Sequence, residues 1–387
     1  MATVTSLRVL YSFGARVGAE GLGTLAYEDA RALHRHDVLQ RLLCGFMHPG
    51  GIPPSHLRVL GMRDRVLRKL CAYEHTQALL HLQNLNYDRW ASRWLEPSDM
   101  LVVWNSYGLR SLRRAKDMGM TTAVIRASTH PQHVHQVLSE EHARWGTPYR
   151  HPRVRRQRLL DEIEAADAVI IPSDGVRSTY LEHGVAAAKL APLSGFGVDV
   201  DTYHPRPRPP GAPFRVLFVG SVGIRKGVPY LLQAWERLGW TDAELCLVGA
   251  VGHELRAVVQ RYRALPGLRF AGHQREALPF FQSADVFVLP SLEEGSARAT
   301  YEAMACGLPV VTTAETGSPV RHEREGFIVP IRDADQLATR LEQLRADDRL
   351  RTRLSVAARR RAESFTWTAY GVELVRLLAG ITERRRG

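Results

Sequence analysis

Two carboxylates, Glu294 and Glu302, stand on either side of a turn that the sequence places between an apolar strand and a short helix. The strand is predicted at residues 285–289, and a second one at 308–312 follows the helix. Such a unit is typical of an open parallel sheet, in which ligands bind at the carboxyl ends of strands. A helix N-terminus attracts phosphate, whereas carboxylates accept hydrogen bonds from hydroxyls. Together these groups indicate a nucleotide diphosphate sugar as the ligand.

A second candidate segment follows the apolar strand predicted at residues 214–220. Gly220 and Gly223 allow the loop to approach a ligand closely. Arg225 and Lys226 then place two cations near a diphosphate, where charge develops on the departing nucleotide. An Arg–Lys pair is often only a solvated surface feature, but its position between a strand and a helix favours a functional role.

The segment from Leu289 to Val311 resembles the Glu-x7-Glu signature of the retaining glycosyltransferases of family 4, the bacterial group 1 enzymes. The resemblance implies that Glu294 contacts the donor sugar and Glu302 holds the ribose. Family members also carry an Arg/Lys pair corresponding to Arg225 and Lys226. Many members have Phe-Gly where Ser296 and Ala297 stand, which leaves the donor sugar open. Donor binding is further implied for the residues around the motif and at one strand end: Gly295, Ser296, Ala297, Arg298, Ala299, Thr300, Gly272 and His273.

The N-terminal half contains a glycine-rich loop after a strand predicted at residues 6–13 and before a helix predicted at 25–33. Its glycines do not have G-x-G-x-x-G spacing, so they do not indicate a dinucleotide fingerprint. In two-domain glycosyltransferases the equivalent loop faces the donor phosphates and the acceptor. The resemblance therefore implies that Gly21 and Gly23 line the cleft.

His130 follows a strand predicted at residues 121–126, at a position where clefts form. Family members often carry a histidine or another polar residue there, which implies that His130 contacts the donor sugar or positions the acceptor. The spacing of His130, His133 and His135 leaves a metal site as the alternative. However, no cysteine or acidic residue completes a clear ligand set. The resemblance implies a metal-independent reaction without a cofactor, with a nucleotide sugar, most commonly a UDP-sugar, as co-substrate.

Alternating strands and helices predict an α/β protein, and the resemblance implies two Rossmann-like doubly wound domains that face a cleft, the GT-B fold. We expect an acceptor-binding domain at residues 1–198 and a proline-rich, stiff hinge at 199–213. A nucleotide-sugar-binding domain should follow at residues 214–364, and a final helix at 365–387 should cross back to the first domain. The terminal arginines 384–386 are expected to fray.

The chain has 387 residues, of which 45% are hydrophobic, and a formal net charge of +12. Its 4 cysteines lack C-x-x-C spacing, which is typical of reduced intracellular thiols. No apolar run reaches the ~18 residues of a membrane span, so a cytoplasmic protein is expected. Basic residues concentrate from Arg58 to Lys69 and from Arg150 to Arg158. They could be solvated faces, or the first could be an amphipathic helix on an anionic membrane. No motif supports nucleic-acid binding.

The sequence therefore predicts a retaining hexosyltransferase that moves a sugar from a nucleotide diphosphate sugar to a hydroxyl of a glycan, a lipid-linked intermediate or a secondary metabolite. A sugar-nucleotide epimerase or hydrolase on the same fold is one alternative. A phosphorylase is disfavoured because no lysine motif for a pyridoxal cofactor is evident. A non-catalytic partner subunit is the other alternative, but it would be expected to lose Arg225, Lys226 or Glu302, all of which are present.

Overall fold

The computed structural model describes residues 7–47, 50–61, 77–149 and 151–386. Its first sheet has seven parallel strands in the order β3-β2-β1-β4-β5-β6-β7. We call this sheet and its helices the first domain. Its strands are β1 Val9–Val17, β2 Leu39–Met47, β3 Leu57–Val59, β4 Met100–Trp104, β5 Thr121–Ile125, β6 Ala168–Ile171 and β7 Leu190–Pro192.

The second sheet has six parallel strands in the order β10-β9-β8-β11-β12-β13 and defines the second domain. In each sheet the strand order reverses once, between β1 and β4 and between β8 and β11, and ligands of doubly wound folds bind beside such a reversal. The strands are β8 Phe214–Val219, β9 Ala243–Val248, β10 Leu268–Gly272, β11 Val286–Leu289, β12 Val310–Thr313 and β13 Gly326–Val329. The predicted α/β class with two Rossmann-like domains is confirmed.

Helices alternate with the strands in both domains, and α1 to α6 belong to the first. The helices are α1 Leu22–Arg35, α2 Gln77–Arg93, α3 Leu109–Asp117, α4 Pro131–Arg144, α5 Arg153–Ala165, α6 Asp174–Glu182, α7 Val228–Leu238, α8 Arg256–Tyr262, α9 Leu278–Gln282, α10 Arg298–Ala305, α11 Ala334–Ala346, α12 Asp348–Ala362 and α13 Trp367–Arg386. Short 3₁₀ turns lie at Pro54–His56, Ala187–Lys189, His253–Leu255 and Ala314–Thr316.

The last helix, α13, packs on α1 of the first domain. The Tyr370 hydroxyl on α13 donates a hydrogen bond of 2.6 Å to Asp29 on α1, whose other carboxylate oxygen accepts one from Tyr11. Asp29 is fully buried, and burial raises its pKa to about 6. The chain therefore returns to the first domain after it has completed the second.

Two expectations about the ends of elements are wrong. The arginines at 384–386 do not fray, since α13 continues to Arg386 and Arg385 lies 3.1 Å from Asp167. At the other end of the chain, β1 extends to Val17 and α1 begins at Leu22, so Gly23 lies in a helical turn and not in a loop. A Cβ on Gly23 would overlap the Arg16 carbonyl, so this glycine allows α1 to pack closely against the end of β1.

The second of the two basic segments is not simply a solvated face. Residues 62–69 of the first segment lie outside the described residues, so the amphipathic-helix prediction stays a prediction. In the second segment, Arg158 is buried and pairs with Asp88 at 2.5 Å and with Glu162 at 3.5 Å. Among the described helices, none has the length and apolar character that a membrane crossing requires.

Candidate functional site

The candidate residues of the second domain lie where its loops contact the first domain. The Ser173 hydroxyl, before α6, donates a hydrogen bond of 2.8 Å to the Gly295 carbonyl. A Cβ on Gly295 would overlap the backbone carbonyl of Ala127. The motif turn after β11 is thus pressed against the loop after β5, and only glycine fits at this contact.

Arg225, Lys226 and Glu294 form a compact charged group at this boundary. Glu294 lies 2.9 Å from the Arg225 guanidinium and 2.6 Å from the Lys226 ammonium. The backbone N–H of Leu292 also donates to the Arg225 carbonyl at 2.9 Å. Gly227 has a φ of +67°, and a Cβ there would overlap the Pro290 carbonyl. The structure therefore brings the two predicted loops together and joins them through both backbone and side chains.

Burial lowers the pKa of both cations, and the neighbouring carboxylates raise it. Burial lowers the pKa of Lys226, although Glu294 partly counteracts it. Burial also disfavours the charge on Arg225, but Glu294 and Glu293 outweigh it and raise its pKa. Lys226, whose side chain is 12% exposed, therefore interacts more strongly with a ligand anion than a fully solvated cation would. Arg225 is 39% exposed and gains less from burial.

Glu293 is a candidate residue that the sequence reasoning missed. Its side chain is 1% exposed and lies 3.5 Å from Arg225. One carboxylate oxygen accepts hydrogen bonds from the Ser128 hydroxyl at 2.6 Å, the Thr129 hydroxyl at 2.9 Å and the Thr129 N–H at 3.0 Å. Burial would raise the pKa of Glu293, but Arg225 and these hydrogen bonds hold it below its usual value. The available signal was a second glutamate beside the motif at the end of a buried strand.

His130 directly follows this hydrogen-bonded loop and is 4% exposed. Its ring Nδ1 accepts a hydrogen bond of 3.3 Å from the backbone N–H of Gln132 at the start of α4. The backbone N–H of His130 donates to the Thr179 hydroxyl at 3.0 Å. Its ring stacks on His183 with centroids 4.4 Å apart. Burial, with the charges of His183 and Arg126, lowers the pKa of His130 to about 3. His130 is therefore neutral at pH 7, with its proton on Nε2.

The three closely spaced histidines do not share a ligand position. His133 faces the cavity between the domains, whereas the His135 ring stacks on Tyr149 with centroids 5.5 Å apart. Within the described parts of the chain, no three His, Cys, Asp or Glu side chains are placed to hold a metal ion. The structure therefore gives no support to the metal alternative.

Glu302 and Arg298 form a pair on α10, one turn apart, at 2.8 Å. The Arg298 guanidinium also donates to the Gly21 carbonyl of the first domain at 3.2 Å. Ala297 precedes the helix without a side-chain cap, so unpaired N–H groups of the first turn are available to an anion. The structure thus brings Glu302, Arg298 and Gly21 together across the cleft.

The remaining donor-binding candidates contribute mainly backbone. The Ser296 hydroxyl bonds to the Tyr301 hydroxyl and donates to the Gly317 carbonyl, both at 2.8 Å. The Thr300 hydroxyl donates to the Ala297 carbonyl at 2.7 Å. These side chains stabilise the turn, and Gly295, Ser296 and Ala297 are buried in it, so the partly exposed Arg298 and Ala299 are the part of this segment that can meet a ligand.

The strand-end candidates surround the same edge of the second sheet. Gly220 and Gly272 both have positive φ, of +151° and +69°, and a Cβ on Gly223 would approach Glu254 to 2.9 Å. His273 is largely exposed and lies 3.6 Å from Glu20 in the loop before α1. The structure therefore places His273 at the mouth of the cleft, facing the first domain.

A cavity of about 200 Å³ lies between the domains beside Glu294. Carboxylates and hydroxyls dominate its polar lining, and these groups bind sugar hydroxyls. His130 is not among the lining residues, whereas Thr129 and His133 are. The polar lining residues are Thr129, His133, Ser173, Ser178, Thr179, Glu182, Glu293, Glu294 and Glu315.

Two facing Rossmann-like domains with charged loops at their cleft define the GT-B architecture. The sucrose-phosphate synthase of Thermosynechococcus elongatus has this fold, with a TM-score of 0.68 and 19% identity over 98% of this chain and 100% of that one. HepE of Anabaena, solved in complex with UDP, gives a TM-score of 0.65 and 17% identity over 97% and 100% of the two chains. At these identities the likeness concerns the fold alone.

The sequence of the second domain is more specific, since residues 213–347 match the family model described as Glycosyl transferases group 1. The predicted group 1 glycosyltransferase domain is therefore confirmed for this part of the chain. Sulfoquinovosyl transferase SQD2 of Arabidopsis thaliana is 28% identical over 53% of this chain and 43% of its own length. The colanic acid glycosyltransferase WcaL of Salmonella typhimurium, itself a putative assignment, is 31% identical over 51% and 53%. The chain thus matches about half the length of these curated relatives.

Proposed function

We propose that this protein is a retaining glycosyltransferase of family 4. It transfers a sugar from a nucleotide diphosphate sugar to an acceptor hydroxyl on a glycan, a lipid-linked intermediate or a secondary metabolite. The observation that carries the proposal is the convergence of Arg225 and Lys226 on Glu294 at the interdomain cleft. A diphosphate leaving group needs these cations, and a donor sugar needs the carboxylate.

Each part of the donor has a partner in the proposed complex. Arg225, Lys226 and the uncapped first turn of α10 bind the diphosphate, and they stabilise it most when it departs. Glu294 accepts hydrogen bonds from the sugar and Glu302 from the ribose. The UDP complex of the structural neighbour HepE favours UDP as the nucleotide. The proposed scheme uses no metal ion: Arg225, Lys226 and the first turn of α10 are the groups that contact the diphosphate.

In the proposed reaction the acceptor oxygen attacks the anomeric carbon on the face from which the diphosphate leaves. The bond to the phosphate oxygen breaks, and that oxygen takes the proton of the acceptor hydroxyl. Neutral His130 and the loop that Glu293 holds position the sugar from the first domain. Closure of the two domains excludes water that would hydrolyse the donor. The buried free thiols of Cys246 and Cys306 favour a cytoplasmic setting.

Calorimetric titration with UDP, GDP, dTDP and ADP tests the donor site. We expect one nucleotide to bind in the micromolar range and to bind more weakly to Glu302→Ala. The control is Asp335→Ala, because Asp335 makes an exposed pair with Arg237 on the outer helices of the same domain. If none of the four nucleotides binds, the donor-site assignment is wrong, and a non-catalytic partner subunit becomes the preferred interpretation.

The stereochemistry needs a second assay, since nucleotide binding does not report it. NMR of the product formed from the nucleotide sugar that binds should show the same anomeric configuration as the donor. An inverted product would exclude the retaining mechanism. Release of nucleotide without any acceptor would favour the hydrolase or epimerase alternative.

A further inference from the structure

A cavity of about 390 Å³ on the second domain is lined by five arginines. It lies between the loop that leads into β13 and the C-terminal half of α12, and it contains none of the candidate donor-site residues. Pockets that hold small ligands have volumes of a few hundred Å³. The arginines are Arg321, Arg324, Arg353, Arg360 and Arg361.

Among the described residues that line the cavity, the one carboxylate, that of Glu325, is already paired with Arg321. Glu325 is buried, and it accepts hydrogen bonds from the backbone N–H of Arg321 at 2.8 Å and from its guanidinium at 3.1 Å. This pair neutralises one arginine and leaves four positive charges around the cavity. Such a concentration of like charge is unfavourable unless an anion or solvent screens it.

The walls of the cavity are tied to each other. Arg361 donates to the Pro319 carbonyl at 3.4 Å and lies over the Phe365 ring at 5.0 Å. Arg353 donates to the Glu323 carbonyl at 3.2 Å. Glu323 itself has a φ of +61°, a conformation that a glutamate rarely adopts. The loop is therefore held against α12 at two points, and the cavity is preformed.

Two of the arginines keep their donors available. The side chains of Arg324 and Arg360 are exposed and have no hydrogen bond or ion pair with any residue in the described part of the chain. Arg360 and Arg361 lie in the last turns of α12, where a positive charge interacts favourably with the helix C-terminus, and this explains why arginines stand there. It does not account for Arg321 and Arg324, which come from a different segment and face the same space.

We propose that this arginine cavity binds a phosphate-bearing ligand. Guanidinium groups present paired donors that match phosphate oxygens, and several of them on a fixed frame favour a multiply charged phosphate. The phosphate could belong to a small soluble molecule or to an anionic lipid headgroup. The site is separate from the proposed donor site and does not depend on it.

The test uses inorganic pyrophosphate as the soluble probe and vesicles of phosphatidylglycerol in phosphatidylcholine as the lipid probe. Calorimetry with pyrophosphate is done in saturating UDP, which occupies the donor site, and vesicle binding is measured by cosedimentation. The variant is Arg324→Gln with Arg360→Gln. The control, Arg263→Gln with Arg349→Gln, removes two exposed arginines of the same domain that do not line the cavity.

We expect the Arg324/Arg360 variant to bind at least one probe about tenfold more weakly, and the control to bind it as the wild type does. Loss of pyrophosphate binding identifies a soluble phosphate, and loss confined to vesicles identifies a lipid headgroup. Absence of binding to both probes, or equal loss in variant and control, would overturn the proposal. An unchanged circular dichroism spectrum and an unchanged midpoint of urea unfolding show that the variant is folded, so this result does not depend on the outcome of the donor-site test.

Discussion

The loops that the two domains bring to the cleft contribute different kinds of group. The second domain supplies charges that pair with one another, as Arg225 and Lys226 do with Glu294. The first domain supplies mostly hydroxyl and imidazole groups, with Glu182 as its carboxylate on the cavity, and buried His130 is held by hydrogen bonds within its own domain. Glu293 is the exception, because it belongs to the second domain and orders the loop of the first.

This division separates two requirements of the proposed reaction. Charge stabilisation needs fixed, desolvated cations, and the second domain builds them from two loops joined through Gly227 and Pro290. Positioning needs neutral donors and acceptors at defined places, and the first domain has them only while its loop is bound to Glu293. The two domains therefore have different roles in the proposed reaction, and substitutions in each should impair the enzyme in different ways.

Lys226→Ala should have the largest effect on turnover. It removes one preorganised cation from the departing diphosphate, and we expect kcat to fall on the order of 10²–10³-fold. Steady-state kinetics with the nucleotide sugar measures this. Arg237→Ala serves as the control, since Arg237 forms an exposed pair with Asp335 on the outer helices. Activity near the wild-type level would remove Lys226 from the site.

Glu293→Ala should affect stability as well as turnover. The substitution leaves two hydroxyls, one N–H and part of the charge of Arg225 without their buried partner. Loss of such a partner destabilises by about 3 kcal/mol, which urea unfolding measures. Glu363→Ala, at an exposed pair, should cost less than about 1 kcal/mol. Equal losses for the two variants would show that Glu293 does not hold the interdomain contact.

The sequence predicted best those parts of the fold that are buried on both faces. Strands such as β4, β5 and β11 are buried at every position, and parallel strands of this kind appear as uninterrupted apolar segments. The charged loops were found because they follow such strands. Arg225, Lys226 and Glu294 all stand within a few residues of a strand end, where doubly wound folds bind ligands.

Contacts between distant segments could not be predicted in this way. Glu293 meets Ser128 across 165 positions of sequence, and no local pattern relates them. The burial of Arg158 depends in the same way on Asp88, 70 positions away. The sequence predicts Gly23 in the glycine-rich loop, but the close approach to the Arg16 carbonyl requires a glycine inside α1. These features depend on tertiary packing, which overrides local propensity.

Glu302→Ala should separate an effect on donor binding from an effect on turnover. If Glu302 holds the ribose in both ground and transition state, its loss should raise the donor KM about tenfold and change kcat little. Steady-state kinetics over a range of donor concentrations separates the two. Its neighbour Arg298 bonds to Gly21 as well, so Arg298→Ala should also loosen the cleft. An unchanged KM with a collapsed kcat in Glu302→Ala would contradict the ribose role.

His130 predicts a smaller, pH-dependent effect on stability. Its pKa is about 3 in the folded protein and about 6.5 in an unfolded chain. Between these values the unfolded state binds more protons, so stability falls as the pH falls. From pH 7 to 5.5 this single group should lower the free energy of unfolding by about 1 kcal/mol.

Urea unfolding of the wild type and His130→Asn at the two pH values isolates this contribution, because other titrating groups are common to both. Asparagine can still accept the hydrogen bond from Gln132 at the start of α4. The variant should therefore lose about 1 kcal/mol less stability than the wild type on acidification. Parallel losses in the two proteins would mean that His130 titrates normally, and it could then act as a proton donor near neutral pH instead of a neutral positioning group.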